Sequence, residues 1–215
     1  MKIEGGGDAV QLLILLGGLT LIPALIFCTT GFTRILIVLG LVRTGLGTPT
    51  APPNQVLIGI AFFLTLFVMA PTLKAIKEDA VDPLTSHQIS DKVALERAEE
   101  PMREFMFKQT GNDELELFLG LAKVDKPKTR EDVPTYVLIP AFITSELKTA
   151  FEIGFLIFLP FLIIDLVVSS TLMSLGMMML SPTIVSMPFK LLLFVMVDGW
   201  TLTMGSLAAS FNGGG

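Results

Sequence analysis

Charge is confined to one part of this chain, and that confinement restricts its possible folds more than any other feature. Of the 35 Asp, Glu, Lys and Arg residues, 24 fall within residues 74–135. The sequence on either side is nearly charge-free and apolar over long runs. Charged residues make up 16% of the 215-residue chain, against roughly 25% in soluble domains. Long apolar runs around a charged block read as membrane helices around an extramembrane unit. The expected fold is all-α: a multi-pass helical membrane protein with two apolar helical hairpins flanking a small helical extramembrane domain. The expected divisions are an N-terminal membrane hairpin with a Pro-rich loop over 1–73, a polar helical domain over 74–135, and a C-terminal membrane hairpin with a Met-rich turn over 136–215.

The first apolar segment runs from about Ala9 to Cys28. A helix of that length rises about 30 Å, the thickness of the hydrocarbon core. The stretch Ile35 to Val42, fenced by Arg34 and Arg43, is too short to span alone. Gly and Pro residues between Thr44 and Pro53 predict a loop. A second span is expected over Val56 to Leu73. In the polar block, Thr85-Ser86-His87-Gln88 fits a capping box, a helix is expected over Asp91 to Gln109, and Asn112 is placed to cap another through Ala122. The longest apolar run, Ile153 to Leu180, contains one acid, Asp165. As one straight helix it would measure about 42 Å, so it must tilt, bend at Pro160 or project beyond the bilayer. A last segment is expected over Met187 to Phe211.

Basic residues in short connections set the expected orientation. Arg34 and Arg43 lie between the first two spans, and Lys190 lies near the join of the last two. Both joins therefore read as cytoplasmic, which puts the polar block and both termini outside. The residues before Ala9 include Glu4 and Asp8 and lack the basic character of a secretory n-region. Either no signal is needed or one lies upstream.

Asp165, Lys190 and Asp198 are ionisable groups in apolar sequence, which makes them functional suspects. Two readings stand for them: proton or ion coupling, or snorkelling and pairing with neighbouring segments. Met177, Met178 and Met179 form a cluster of flexible, polarisable side chains able to mould to surfaces of varying shape, or to serve as apolar filling. Gly199, Thr203, Ser206 and Ser210 recur at helical spacing and predict a close helix–helix seam, within the chain or between subunits. Phe105 and Phe118 sit on helices of the polar block among other apolar residues, so core packing is their default role. Glu146 and Lys148 are too close in sequence to pair across a helix face, and are expected to reach other segments or subunits.

The familiar catalytic signatures are missing. The sequence has no phosphate-binding GxxxxGK[ST], no GxGxxG, no HExxH and no GxSxG. One cysteine, Cys28, and one histidine, His87, leave no basis for a cysteine framework or a histidine zinc site. A net charge of −5 without a long basic run argues against nucleic acid. No catalytic residue, metal or cofactor is expected.

Six blocks in order carry a resemblance. They are Phe32-Thr33-Arg34, Gly47-Thr48-Pro49-Thr50-Ala51-Pro52-Pro53-Asn54-Gln55, Thr144 through Phe151, Pro160 through Asp165, Gly176-Met177-Met178-Met179, and Pro188-Phe189-Lys190 through Asp198-Gly199-Trp200. On these residues the chain resembles the FliP family of the type III export gate, over about Leu12 to Phe211. The Gly47–Gln55 block looks flagellar rather than like the injectisome branch. The resemblance implies a subunit of the bacterial inner membrane and flagellar basal body, with its polar domain periplasmic. It implies assembly of several copies with FliQ and FliR into a closed channel, with FlhB and FlhA beside it and unfolded rod, hook and filament subunits as cargo. It further implies that Met177, Met178 and Met179 form the gasket of the constriction. Phe105, Phe118 and Glu146 would face the channel or stabilise its closed state. In such an assembly, apolar helices can pack on protein rather than lipid. The rival reading from another class is a proton-coupled secondary transporter of a small solute, with Asp165, Asp198 and Glu146 as coupling carboxylates.

Overall fold

The computed structural model describes residues 17, 20, 23–124, 127, 129–177 and 179–212, and every regular element among them is helical. Most of the first expected span lies outside the described residues; residues 23–28 of it are helical.

Helix α1, Phe32–Gly45, places Ile35, Val38, Leu39 and Val42 at helical spacing on one face. All four are at most 1% exposed. The stretch too short to span is thus the centre of the fold. Each such side chain contributes about 1.5–3 kcal/mol relative to exposure in water. Helix α2, Asn54–Ile76, lies beside α1. It was expected to stop near Leu73. Instead it runs on through a π turn, Lys77–Val81, into the short α3, Asp82–Thr85. Charge begins there, but Lys, Ala, Ile and Glu are adequate helix formers, and Lys74 pairs with Glu78 one turn on at 3.7 Å. A change of polarity is therefore not a helix stop.

The capping box expected at Thr85 is absent. Thr85 ends α3, and its hydroxyl donates back to the Asp82 carbonyl at 3.0 Å. Helix α4, Asp91–Gln109, has the expected bounds and retains Pro101 inside it. Helix α5, Asn112–Leu121, starts after Gly111, with no capping bond from Asn112. Gly111 N–H is held instead by Ser145 Oγ, at 2.9 Å, on a distant helix.

Helix α6, Thr135–Ser174, is one 40-residue element. At 1.5 Å per residue it is about 60 Å long, twice the core of a bilayer. Its two halves differ. The first buries Val137, Leu138, Ala141, Phe142, Ser145, Glu146 and Ala150 against α1, α4 and α5. The second leaves Phe155, Leu156, Ile163, Leu166 and Val167 exposed. The long apolar run does not stay helical to Leu180: α6 ends at Ser174, and a turn follows with Gly176 at φ +71°.

The last expected segment is also broken. Helix α7, Pro182–Met196, and helix α8, Gly199–Asn212, meet at a 65° bend. Asp198 sits at the bend with φ +51°. Helices α2 with its extension and α6 are each long and apolar enough to cross a membrane, and the bent α7–α8 pair is a third candidate. Of the most apolar stretch of α6, only 11% is buried within the chain. Such surface requires lipid or other subunits to cover it.

Candidate functional site

Four helices converge on one buried cation. Arg34, on the first turn of α1, is 2% exposed, and Glu146, on α6, is fully buried. The guanidinium meets the carboxylate side-on: Nε donates to Oε2 at 3.0 Å and Nη2 donates to Oε1. Nη2 also donates to Gln109 Oε1 on α4, at 2.9 Å. Nη1 donates to the Ser210 carbonyl and hydroxyl on α8, at 3.3 and 3.0 Å. Arg34 thus makes five hydrogen bonds, matching its five N–H donors. The Phe211 ring lies 3.9 Å from the guanidinium carbon, and Gln109 Nε2 donates to the Phe211 carbonyl at 2.9 Å. Bidentate geometry and full satisfaction offset the cost of removing two charges from water. Beside this hub lies a recess of about 780 Å³, lined in part by Glu114, Arg130 and Lys148.

Phe105 belongs to the same core. It is 8% exposed, meets Phe142 edge-on at 5.9 Å and stacks on Phe211 at 6.3 Å, ring to ring. Phe105 and Glu146 both have their side chains buried within the chain. Phe118 is half-buried on α5, in the same hydrophobic cluster but not at the hub. Lys148 reaches Glu114 on α5 at 3.0 Å. That hydrogen bond is the main reason the Glu114 carboxyl is held below the usual carboxylate range.

A second charged group stands in the apolar hairpin of α6 and α7. Lys190, 2% exposed, donates to Asp165 Oδ2 at 2.5 Å. The Ser186 hydroxyl donates to Asp165 Oδ1, also at 2.5 Å. Asp165 and Lys190 therefore pair with each other across the hairpin. Asp198 has no part in this group; it lies exposed at the α7–α8 bend.

The methionine turn forms the tip of that hairpin. Met177 is 43% exposed and Met179 is fully exposed, while Met178 lies outside the described residues. The small-residue seam is partly different from the expected one. Gly199 and Thr203 are buried, but the stripe continues through Leu207 and Phe211. Ser206 is exposed and Ser210 is turned toward Arg34. A four-residue step from Gly199 leads to Leu207, not to Ser206, and this step fixes the buried face.

Sequence reading gives Arg34 a place in the topology and in a resemblance block, but no partner, and gives no role to Gln109 or Phe211. The pairing joins residues 112 positions apart. One available signal was the placement of a lone cation directly before a run of apolar residues at helical spacing.

These features define a helical, multi-pass membrane protein whose charged residues are organised by internal pairing. Comparison with known proteins then narrows the class. A sequence profile described as the FliP family matches residues 15–207. The flagellar biosynthetic protein FliP of Pectobacterium carotovorum subsp. carotovorum is 59% identical over 213 residues, which cover 97% of this chain and 83% of that protein. The Bacillus subtilis (strain 168) protein of the same name is 54% identical over 208 residues, covering 97% of this chain and 94% of that one. That of Aquifex aeolicus (strain VF5) is 47% identical over 216 residues, covering 99% and 90%. The chain belongs to the FliP family.

Proposed function

We propose that this chain is a core subunit of the flagellar export gate. In this reading several copies join FliQ and FliR in a closed channel of the inner membrane, beside FlhB and FlhA. Unfolded rod, hook and filament proteins pass through it, and the polar domain over 74–135 lies on the periplasmic side. Family membership and the flagellar name of the relatives support the setting. The single observation that carries the mechanism is the methionine turn: large apolar side chains exposed at the tip of an apolar hairpin, with nothing among the described residues to cover them.

The chemistry of such a turn suits a constriction. Methionine is unbranched and polarisable, so a ring of turns can close against ions and still yield to a passing chain of varied side chains. An apolar constriction also blocks ions by dewetting. Met177, Met178 and Met179 are the gasket in this account. Glu146, Phe105 and Phe118 hold the body of the subunit in its closed arrangement. Asp165 and Lys190 keep the two arms of the hairpin together. Gly199 and Thr203 pack the last helix closely, with Ser206 left free to meet a neighbouring subunit.

A carrier of small solutes has less support. Two of the three carboxylates it would need are committed to short ion pairs, Glu146 with Arg34 and Asp165 with Lys190. The conduit reading predicts that replacing Met177, Met178 and Met179 with Ala leaves the complex assembled and makes membranes leak ions severalfold faster. Ion flux through vesicles bearing the purified complex measures this. An unchanged leak together with normal export would remove the gasket assignment.

A further inference from the structure

The loop between α1 and α2 is held at both ends by hydrogen bonds of its own. Arg43 Nη1 donates to Asn54 Oδ1 at 2.6 Å and to the Pro52 carbonyl at 3.2 Å, tying the far end of the loop back to α1. Gly47 N–H donates to the Thr44 carbonyl at 3.0 Å, and the Thr48 hydroxyl to the Ala51 carbonyl at 2.7 Å. Held this way, the loop is stiff before it touches anything else.

What it touches is the two arms of the methionine hairpin. A methyl group at Gly45 would stand 2.7 Å from the Phe161 ring and 3.1 Å from the Phe158 ring of α6. Gly47, at φ +76°, lies so close to α7 that an added Cβ would be 3.6 Å from Thr183 Cγ2 and 3.9 Å from Met187 Cβ. A left-handed backbone favours Gly there, and the approach leaves little room for more. Phe161 in turn lies 6.2 Å from Phe194, ring to ring. The seat therefore joins the end of α1, both arms of the hairpin and the loop.

Three further observations make this seat separable. Among the described residues, no hydrogen bond or ion pair joins residues 45–53 to α7. Parting the two surfaces would break no hydrogen bond between them. The hairpin is clasped internally by Asp165, Ser186 and Lys190, so it can move as one piece. At the ends of that piece stand Pro160, which removes a helix hydrogen bond, and the 65° bend at Asp198.

We propose that the Gly45–Pro53 loop is a latch on the methionine hairpin, and that the constriction opens when the hairpin leaves this seat. Gly45 and Gly47 are then positioning residues for the gate. The proposal rests on the conduit reading above and adds the element that holds the conduit shut.

A disulfide tests it. The 3.9 Å separation between a Cβ at position 47 and that of Met187 suits one, since disulfides span about 3.5–4.5 Å between Cβ atoms. Gly47→Cys and Met187→Cys are introduced together into the full-length chain carrying Cys28→Ser, within the assembled complex in cells. Gly47→Ala with Cys28→Ser controls for backbone strain. The latch predicts that a mild oxidant forms the bond and lowers export of filament subunits at least tenfold relative to the control, with recovery on reduction. It also predicts that Gly45→Ala, which displaces Phe161, raises ion leak severalfold while the complex stays intact by native mass spectrometry. Failure of the bond to form, or a formed bond with export unchanged, overturns the latch. The methionine-to-alanine complexes, measured alongside, separate the two claims. If they leak while the crosslink has no effect, the conduit stands and the latch falls. If they neither leak nor alter export, the gasket assignment falls and the latch, which acts through it, falls with it.

Discussion

At the scale of single residues, the decisive group is Arg34. A guanidinium this deeply buried is tolerable only because each bond it can make is made. That dependence gives a sharp prediction. Glu146→Gln leaves a buried cation facing an amide and should destabilise the chain by about 3–5 kcal/mol. Replacing both partners with apolar residues, Arg34→Met with Glu146→Leu, should recover most of that loss, because neither charge then remains stranded. Protease resistance of the purified complex across a denaturant series measures both. Equal damage from the single and the double change would mean that the pair itself, rather than its orphaned half, matters. The sequence showed the two residues and even the expectation that Glu146 reaches a distant segment. It could not show that they meet, because one apolar face and a cation at its start are compatible with many partners. Asp165 and Lys190 tell the same story: each reads as an isolated intramembrane charge until α6 and α7 fold back on one another and pair them.

At the scale of elements, legibility followed the local chemistry. Helix α4 could be bounded from sequence because its first residue follows the extended Ser90 and its last precedes Thr110-Gly111. Helix α2 could not, because Lys74 through Ala80 change polarity without changing helix propensity. The break at Asp198 was hidden for the opposite reason: the sequence is apolar on both sides of it, and the interruption is a residue at positive φ. The join between α5 and α6 carries its own prediction. Glu114 is held below the ordinary carboxylate range, first by its hydrogen bond to Lys148. A depressed carboxyl stabilises the fold above its unfolded pKa and loses that contribution as pH falls through its lowered folded value. Because Lys148 is half exposed, solvent screens the pair and the contribution is small. The carboxyl carbon shift of Glu114 followed from neutral to acidic pH should therefore titrate late. Lys148→Met should return it to the usual range. A Glu114 titration unaltered by Lys148→Met would show that the ion pair does not form in solution.

At the scale of the whole molecule, the chain is two unlike halves sharing one helix. The first half of α6 is built into a satisfied core with α1, α4 and α5, and needs nothing further. Its second half, with α7 and the outer face of α2, exposes Phe62, Phe63, Phe67, Phe155, Ile163 and Val195. A 60 Å helix half embedded in its own subunit cannot also be an ordinary bilayer span along its full length. The exposed apolar half is where neighbouring subunits and lipid would complete the structure. We propose that this completion is a hetero-oligomeric conduit. Native mass spectrometry of the chain purified after co-expression with its proposed partners tests that claim most directly. The account predicts a discrete complex containing several copies of this chain together with FliQ and FliR subunits. A monomer or simple dimer that ignores those partners would contradict it.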